Sequence, residues 1–289
     1  MSNPRVWFIT GASSGFGRYM TEHVMASGDI AVATLRKPEV LSEFAAKYSK
    51  DRLLVLQLDV SKKTDIENAF ARAIEAFGRI DVVFNNAAYG LFTEVEGTPE
   101  DLARTMFEVN FWGAANVARA AVRTFREVNA PGKGGVLLQI SSLGGLVAHP
   151  SVVYYGASKH ALEGFSEGLA GEVDPAWNIR QVCIVEPGGF RTEGVSNGIL
   201  VPQHPAYINP ELPSSKLRAD IERHGGSWQG DAKKGVRVIY QVASGDKIPL
   251  RLPLGMDAVA GTREVGQRLV AAADESELFS ADLLIDSTN

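Results

Sequence analysis

The sequence holds a single cysteine, Cys183, among 289 residues. An internal disulfide is therefore excluded, and a reducing compartment suits the chain. Cys183 falls within an apolar run, which predicts a buried structural thiol and not a nucleophile. There is no CxxC, and the five histidines (His23, His149, His160, His204 and His224) show no metal-ligand spacing, so no metal site is predicted. No apolar run approaches the ~20 residues of a membrane helix, and no signal-peptide pattern precedes the first strand. Basic clusters and stacking-aromatic motifs are missing, and a net charge of −5 with a pI near 5.6 argues against a nucleic-acid partner. Repeats and low-complexity tracts are missing as well. A soluble cytoplasmic protein is the expectation.

What is present is an ordinary globular balance of 45% apolar and 22% charged residues. The length allows one large α/β domain with a well-buried core, or two small ones. Short apolar runs rich in β-formers recur at 5–10, 30–34, 53–58, 80–84, 134–140 and 179–185. Helical patterns separate them, with a stop at Gly78 and with Asn110 in the middle of the segment 100–128. A last strand is predicted over 248–254, where two prolines suit an edge, between helices over 231–243 and 257–273. Such alternation implies right-handed crossovers and a doubly wound, Rossmann-like α/β fold, a mostly parallel sheet with helices on both faces.

From about 194 to 230 the pattern breaks at Pro202, Pro205, Pro210 and Pro213, over a stretch too long for an ordinary connection. It reads as a flap over the substrate and not as a domain boundary, so residues 1–289 are read as one domain. Ile199, Leu200, Val201, Tyr207 and Trp228 either line an apolar pocket there or pack beneath the flap.

The first strand runs directly into Thr10-Gly11-Ala12-Ser13-Ser14-Gly15-Phe16-Gly17 and then into a helix. Backbone N–H groups at such a helix start receive a phosphate. Gly11 permits the tight turn, Gly15 lets the backbone approach a pyrophosphate, and Gly17 allows close helix packing. After the second strand, Leu35 occupies the place where an NAD enzyme carries an acid, and Arg36 offers a cation for a 2′-phosphate; Ser13 adds a hydrogen bond. Asp59-Val60 ends the third strand, where Asp59 either accepts from an adenine amino group or caps the next helix. Asn85-Asn86-Ala87-Ala88 ends the fourth; it suits close backbone contact with a ligand, and equally a turn held by Asn side chains. These residues fall on one rim, at the carboxyl ends of the strands.

On the same rim Tyr155 and Lys159 lie four apart on a helix, hence on one side of it. A phenol is a poor proton shuttle at neutral pH, and a cation beside it lowers its pKa toward useful values. Lys159 is five residues from Tyr154, about 140° around the helix, so Tyr155 is the acid and Tyr154 a pocket or packing residue.

Taken in order, Thr10–Gly17, Asp59-Val60, Asn85-Asn86-Ala87, Asn110, Ser141-Ser142, Tyr155-x-x-x-Lys159 and Pro187-Gly188 resemble the short-chain dehydrogenase/reductase family in its compact single-domain form, over roughly residues 5 to 195. The resemblance implies one seven-stranded sheet in the order 3-2-1-4-5-6-7. It implies NADP(H) as cofactor, bound by Gly11, Ser13, Ser14, Gly15, Phe16, Gly17, Arg36, Asp59, Val60, Asn86, Ala87, Ala88, Pro187, Gly188 and Thr192 together with Tyr155 and Lys159. Its catalytic set would be Asn110, holding a water in a proton relay; Ser142, on the substrate oxygen; Tyr155, the proton donor and acceptor; and Lys159, which holds the nicotinamide ribose and depresses the Tyr155 pKa. Two residues depart from the family pattern: Ala88 stands where Gly is usual, and Gln139 where Asn is frequent.

The expected activity is interconversion of a carbonyl and a secondary alcohol by hydride transfer, on a small, lipophilic ketone or alcohol. An NADP-assisted epimerisation or isomerisation, and a non-catalytic NADPH-sensing regulator, are the rival readings. Family members commonly pair through the helices starting near Ala114 and Tyr155, so the resemblance allows a homo-oligomer, while the sequence shows no exposed apolar face and leaves the oligomeric state open.

Overall fold

A computed structural model describes residues 3–192, 198–224, 228–281 and 283. Seven strands, β1 (Val6–Thr10), β2 (Ile30–Leu35), β3 (Leu53–Gln57), β4 (Val82–Asn85), β5 (Gly135–Ile140), β6 (Ile179–Pro187) and β7 (Arg251–Leu254), form one parallel sheet. Their order is β3-β2-β1-β4-β5-β6-β7, as the family resemblance implies. The helices are α1 (Gly15–Ala26), α2 (Ser42–Ala45), α3 (Lys63–Phe77), α4 (Glu100–Phe107), α5 (Ala114–Glu127), α6 (Val153–Glu172), α7 (Pro213–His224), α8 (Ala232–Ser244) and α9 (Met256–Ser280).

Side chains alternate across each strand, and both sets are apolar because both faces are covered. Trp7, Ile9, Ala31, Ala33, Phe84, Leu138 and Cys183 pack with Met20 and Val24 of α1 and Val236 and Ile239 of α8. The alternate residues Phe8, Val32, Val83, Leu137 and Val182 pack with Ile66 and Phe70 of α3 and Val117 and Phe125 of α5. Cys183 is fully buried, and burial pushes its thiol up to about 12, so it behaves as a small core residue. β7 is the sheet edge and carries Pro253, whose missing N–H costs nothing at that position.

Several boundaries differ from those the sequence predicts. Between β2 and β3, where the alternation predicts a helix, the chain forms a 3₁₀ turn at Pro38–Leu41 followed by the four-residue α2. β7 begins at Arg251 and not at 248, and α6 begins at Val153, two residues before Tyr155. The closing helix α9 runs on to Ser280, with only Ala258 buried along it. In the proline-rich stretch, Ile199–Leu200 pairs with Leu91–Phe92, Pro205–Tyr207 forms a 3₁₀ turn, and α7 follows. Parts of the expected flap, residues 194–197 and 225–227, lie outside the described residues.

At the amino ends of the strands, Asp29 gathers four donors: Arg5 N at 2.9 Å, Arg5 Nε at 3.4 Å, Trp7 Nε1 at 3.0 Å and the Tyr240 hydroxyl at 2.8 Å. Tyr240 stacks on Trp7 at 5.1 Å, so this carboxylate ties β1 to α8. Asp29→Ala would leave Trp7 and Tyr240 without their acceptor. A loss of about 3 kcal/mol is expected, read as a lower urea midpoint at unchanged m-value. Dinucleotide affinity should not change, because the motifs expected to bind it lie on the opposite rim.

The sheet reverses its order between β1 and β4, and the seam is stitched by side chains. Thr10 Oγ1 accepts from Asn86 N at 2.8 Å and Ala87 N at 3.0 Å, while Asn86 Nδ2 donates to Thr10 O at 3.0 Å. Open α/β sheets bind ligands at such a reversal.

Candidate active site

The glycine loop opens at the carboxyl end of β1 and enters α1 at Gly15. Gly17 has no room for a side chain, since a Cβ would stand 2.2 Å from Gly11 O and 2.8 Å from Asn86 Nδ2. Gly11 has a φ of +68°, the conformation that glycine allows at a tight turn. A Cβ on Gly15 would lie 3.3 Å from Thr192 Cβ, so the turn after β6 closes over the loop. Phe16 meets Phe190 edge to face at 5.2 Å and reinforces that closure. A cradle of main chain with side chains excluded fits a pyrophosphate at a helix N-terminus.

Arg36 follows β2 and is exposed. It lies close enough to Asp59 and Tyr89 to draw both pKa values down; burial, the largest single influence on each, acts upward and prevails at Tyr89, while the Ser61 hydrogen bonds leave Asp59 below its ordinary value. Asp59 accepts from Ser61 N at 3.1 Å and Ser61 Oγ at 2.7 Å, a turn closed before α3. Asn85, fully inside, donates to Gln139 Oε1 at 2.6 Å and Ala114 O at 2.8 Å, and Gln139 Nε2 reaches Ser166 Oγ at 3.2 Å. The longer Gln139 thus links β4 to α6, a span that gives the departure from Asn a structural use. Ala88 is exposed on the rim beside Ala87. Val60 is buried; Ser13 is exposed and Ser14 half-buried at the loop.

Tyr155 and Lys159 stand on one face of α6. Ser142 caps the 3₁₀ turn after β5, accepting from Gly144 N at 3.0 Å, and its hydroxyl is within hydrogen-bonding reach of the Tyr155 phenol. A Cβ on Gly144 would be 3.4 Å from both Ser142 Oγ and the Tyr155 ring, so the glycine lets the two approach. Lys159, 2% exposed, donates to Ile140 O at 2.8 Å and lies 5.9 Å from the centre of the Tyr155 ring. Burial brings its pKa down to about 8, with Glu163 acting in the opposite direction.

The expected depression of the Tyr155 pKa is not found. Burial holds the phenol above its ordinary value, and only the Ser142 hydroxyl draws it back. Burial is the larger influence on the phenol, and the Lys159 ammonium, 5.9 Å from the ring centre, donates to the Ile140 carbonyl.

Asn110 sits in a π-helical turn, Glu108–Gly113, between α4 and α5. Its Nδ2 donates to Tyr89 O at 2.9 Å and Ser158 Oγ at 3.3 Å, and its Oδ1 accepts from Tyr89 N at 3.0 Å. A wide turn of this kind often marks a functional position. Pro187 is buried at the end of β6, and Gly188 N donates to Leu254 O at 2.9 Å. A side chain at Gly188 would collide with Asp257, which accepts from Gly189 N at 2.6 Å.

Ile199 and Val201 join Leu91, Met106, Tyr89, Tyr154 and Tyr155 in one apolar cluster. Tyr207 and Trp228 do not. Tyr207 donates to Glu96 Oε2 at 2.8 Å, and Trp228 covers Gly189. Residues that the motifs do not contain also enter this region: Tyr89, Asp257, and the buried pair Glu163 and Glu186. Glu163 had a signal, being four residues beyond Lys159 on the same stripe; Glu186 had one in its place at the end of an apolar strand. Among the described residues no group of His, Cys, Asp and Glu could hold a metal ion, and no helix is long and apolar enough to cross a membrane.

The family model described as short chain dehydrogenase matches residues 5–198. An uncharacterised oxidoreductase of Schizosaccharomyces pombe, C162.03, is 36% identical over 279 residues, covering 96% of this chain and 91% of that protein. A 3-ketodihydrosphingosine reductase of Bacteroides thetaiotaomicron is 35% identical over 225 residues, covering 77% of this chain and 78% of its own length. A short-chain dehydrogenase from Streptomyces avermitilis superposes with a TM-score of 0.87 at 35% identity, over 99% of this chain and 100% of that one. More distant structures of the same fold hold NADP in one case and NAD in another. The glycine cradle, the Ser142–Tyr155–Lys159 grouping and these matches place the chain in the short-chain dehydrogenases, a family of nicotinamide-dependent oxidoreductases.

Proposed function

We propose that this chain is an NADP(H)-dependent oxidoreductase interconverting a carbonyl and a secondary alcohol, with Tyr155 as proton donor and acceptor. The observation that carries the reading is the meeting of the Ser142 and Tyr155 hydroxyls beside the buried Lys159. A carbonyl oxygen seated between the two hydroxyls gains two hydrogen bonds where negative charge develops, and one proton from Tyr155. Bound NADPH supplies the hydride, which no side chain offers. Lys159 spends one of its three N–H donors on Ile140 O, and a ribose hydroxyl is the natural acceptor for another. The Asn110 amide is spent on Tyr89 and Ser158, so a relay water is left to the main-chain carbonyls of the π turn.

The whole chain acts as one domain, with the segment from about 194 to 230 as a flap over the substrate. The apolar cluster beside Tyr155 favours a lipophilic ketone or alcohol. A relative named a 3-ketodihydrosphingosine reductase is in keeping with that choice.

The choice of NADP over NAD rests on Arg36, exposed beside Asp59 with no acid at Leu35. A guanidinium matches a 2′-phosphate with paired, charge-assisted hydrogen bonds. Arg36→Ala is expected to weaken NADPH binding by about 10- to 100-fold and to leave NADH binding unchanged, measured by fluorescence of the reduced nicotinamide. Equal losses for both would remove Arg36 from this role.

A steady-state screen of ketones and secondary alcohols with NADPH and NADH tests the activity. NADPH consumed in step with alcohol formed supports the reading. Product without net consumption indicates epimerisation, and binding without turnover on any substrate indicates a sensor.

A further inference from the structure

Two carboxyl groups lie behind the Tyr155–Lys159 face and have no part in the chemistry above. Glu163 is one helical turn beyond Lys159 on α6, and Glu186 is the residue before Pro187 in β6. Both are shut away from solvent, at 4% and 0% exposure, and they are within hydrogen-bonding reach of each other. Arg251 of β7 clamps them: its Nη1 is 2.5 Å from Glu163 Oε2 and 2.7 Å from Glu186 Oε1. Its Nη2 reaches out to Glu167 Oε2 at 2.7 Å, nearer the surface.

Of the remaining oxygens, Glu186 Oε2 meets no N–H or O–H donor, and Glu163 Oε1 has only the Ser141 hydroxyl within reach, without a well-aligned bond. Space is kept for the first of them by Gly145, where a Cβ would stand 3.0 Å from Glu163 Oε1 and 2.6 Å from Ser141 Oγ. The charged and titratable groups around the pair are Lys159 and Glu167 from α6, Arg251 from β7, and the Cys183 thiol from β6. Two buried carboxylates side by side, sharing one guanidinium with a third, repel each other strongly. A single proton between them removes the repulsion and supplies the missing donor.

We propose that Glu163 and Glu186 share one proton, and that Glu163, carrying the charge of the pair toward Lys159, is a positioning residue that keeps the catalytic ammonium charged. The inference rests on the roles given to Tyr155 and Lys159 above. Lys159 is otherwise poorly placed to stay protonated, since burial lowers its pKa to about 8 and Glu163 is the charge that opposes this. Glu186 is pushed up to about 7, by burial first and by Glu163 second. The two substitutions therefore act differently. Glu163→Gln removes the anion, and Lys159 loses its proton at lower pH. Glu186→Gln relieves the repulsion, Glu163 ionises more readily, and Lys159 keeps its proton. A merely structural role predicts no such difference.

The test uses the full chain in three forms, wild type, Glu163→Gln and Glu186→Gln, with two readouts. Carbon-13 NMR of the glutamate carboxyls without dinucleotide is expected to show one group titrating near pH 7 in wild type and missing in Glu186→Gln. The pH–rate profile with NADPH and phenanthrenequinone as carbonyl probe is expected to lose its alkaline limb earlier in Glu163→Gln, by about one pH unit. The Glu186→Gln limb stays in place, because Glu163 still carries its charge. All carboxyls titrating near their ordinary value of about 4, or two variant profiles that superpose on wild type, would overturn the proposal. If Glu163→Gln fails to fold, or the quinone is not turned over, the carbon-13 titration of wild type and Glu186→Gln decides alone. Full turnover by a Tyr155→Phe control would instead defeat the catalytic reading and leave the carboxyl titration standing.

Discussion

Tyr155→Phe is expected to lose turnover by about 10²- to 10⁴-fold, the range for a positioned general acid, with NADPH affinity within twofold of wild type. The phenol oxygen is the only atom removed. Its partner is Ser142, and the ring stays packed beside Leu91, Met106 and Val201, so neither the helix nor the cofactor cradle is disturbed. Cradle and acid are built from different elements, the one from the β1–α1 loop and the other from α6. Binding and chemistry should therefore separate cleanly when nicotinamide fluorescence is compared with initial rates. Retained turnover would remove Tyr155 from the proposed role. A parallel loss of binding would mean that the tyrosine holds the cofactor instead of moving the proton.

Gly17→Ala is expected to cost about 3 kcal/mol of stability and to weaken dinucleotide binding by more than about 100-fold. The added methyl would overlap Gly11 O at 2.2 Å and press on Asn86 Nδ2 at 2.8 Å. Main chain lies on one side and the β1–β4 seam on the other, so neither neighbour yields easily. Relief requires α1 to move off the loop, which breaks the Asn86 bond to Thr10 and moves the helix N-terminus from where a phosphate would sit. Thermal melts with and without NADPH measure both effects. A variant that melts and binds like wild type would show that the loop opens without penalty.

Much of this is legible in the order of residues. The sheet order comes with the family resemblance that the strand-end motifs carry, and the two-faced burial follows from runs apolar at successive positions, such as Val6–Ile9. The glycine loop and the Tyr155–Lys159 spacing carry a periodicity or a steric rule, and those survive without coordinates. Other features have no such signature. The π turn at Asn110 looks like unbroken helix, because one extra residue in a turn leaves the apolar pattern almost unchanged. The Leu91–Phe92 and Ile199–Leu200 ladder is too short to have a period. Tyr207 and Trp228 are apolar enough for a pocket wall, yet their placement depends on Glu96 and Gly189, far apart in sequence. The state of Tyr155 was the hardest to read. A neighbouring cation lowers a phenol's pKa, but burial acts the other way and is a property of the folded chain, invisible in a spacing of four.

The seam between β1 and β4 also bears on how the molecule assembles. Its bonds join residues 76 and 77 positions apart, Thr10 to Asn86 and Thr10 to Ala87. Closing so long a loop is slow, and β1–β3 with their helices can pair locally before β4 arrives. The crevice floor is thus among the last surfaces to exist. A dinucleotide that needs both sides of it has nothing to hold in a half-docked chain, so it stabilises the finished state alone. Added NADPH should then slow unfolding while leaving the refolding rate nearly untouched, and recovery of binding would serve as a clock for the moment when the two halves of the sheet meet.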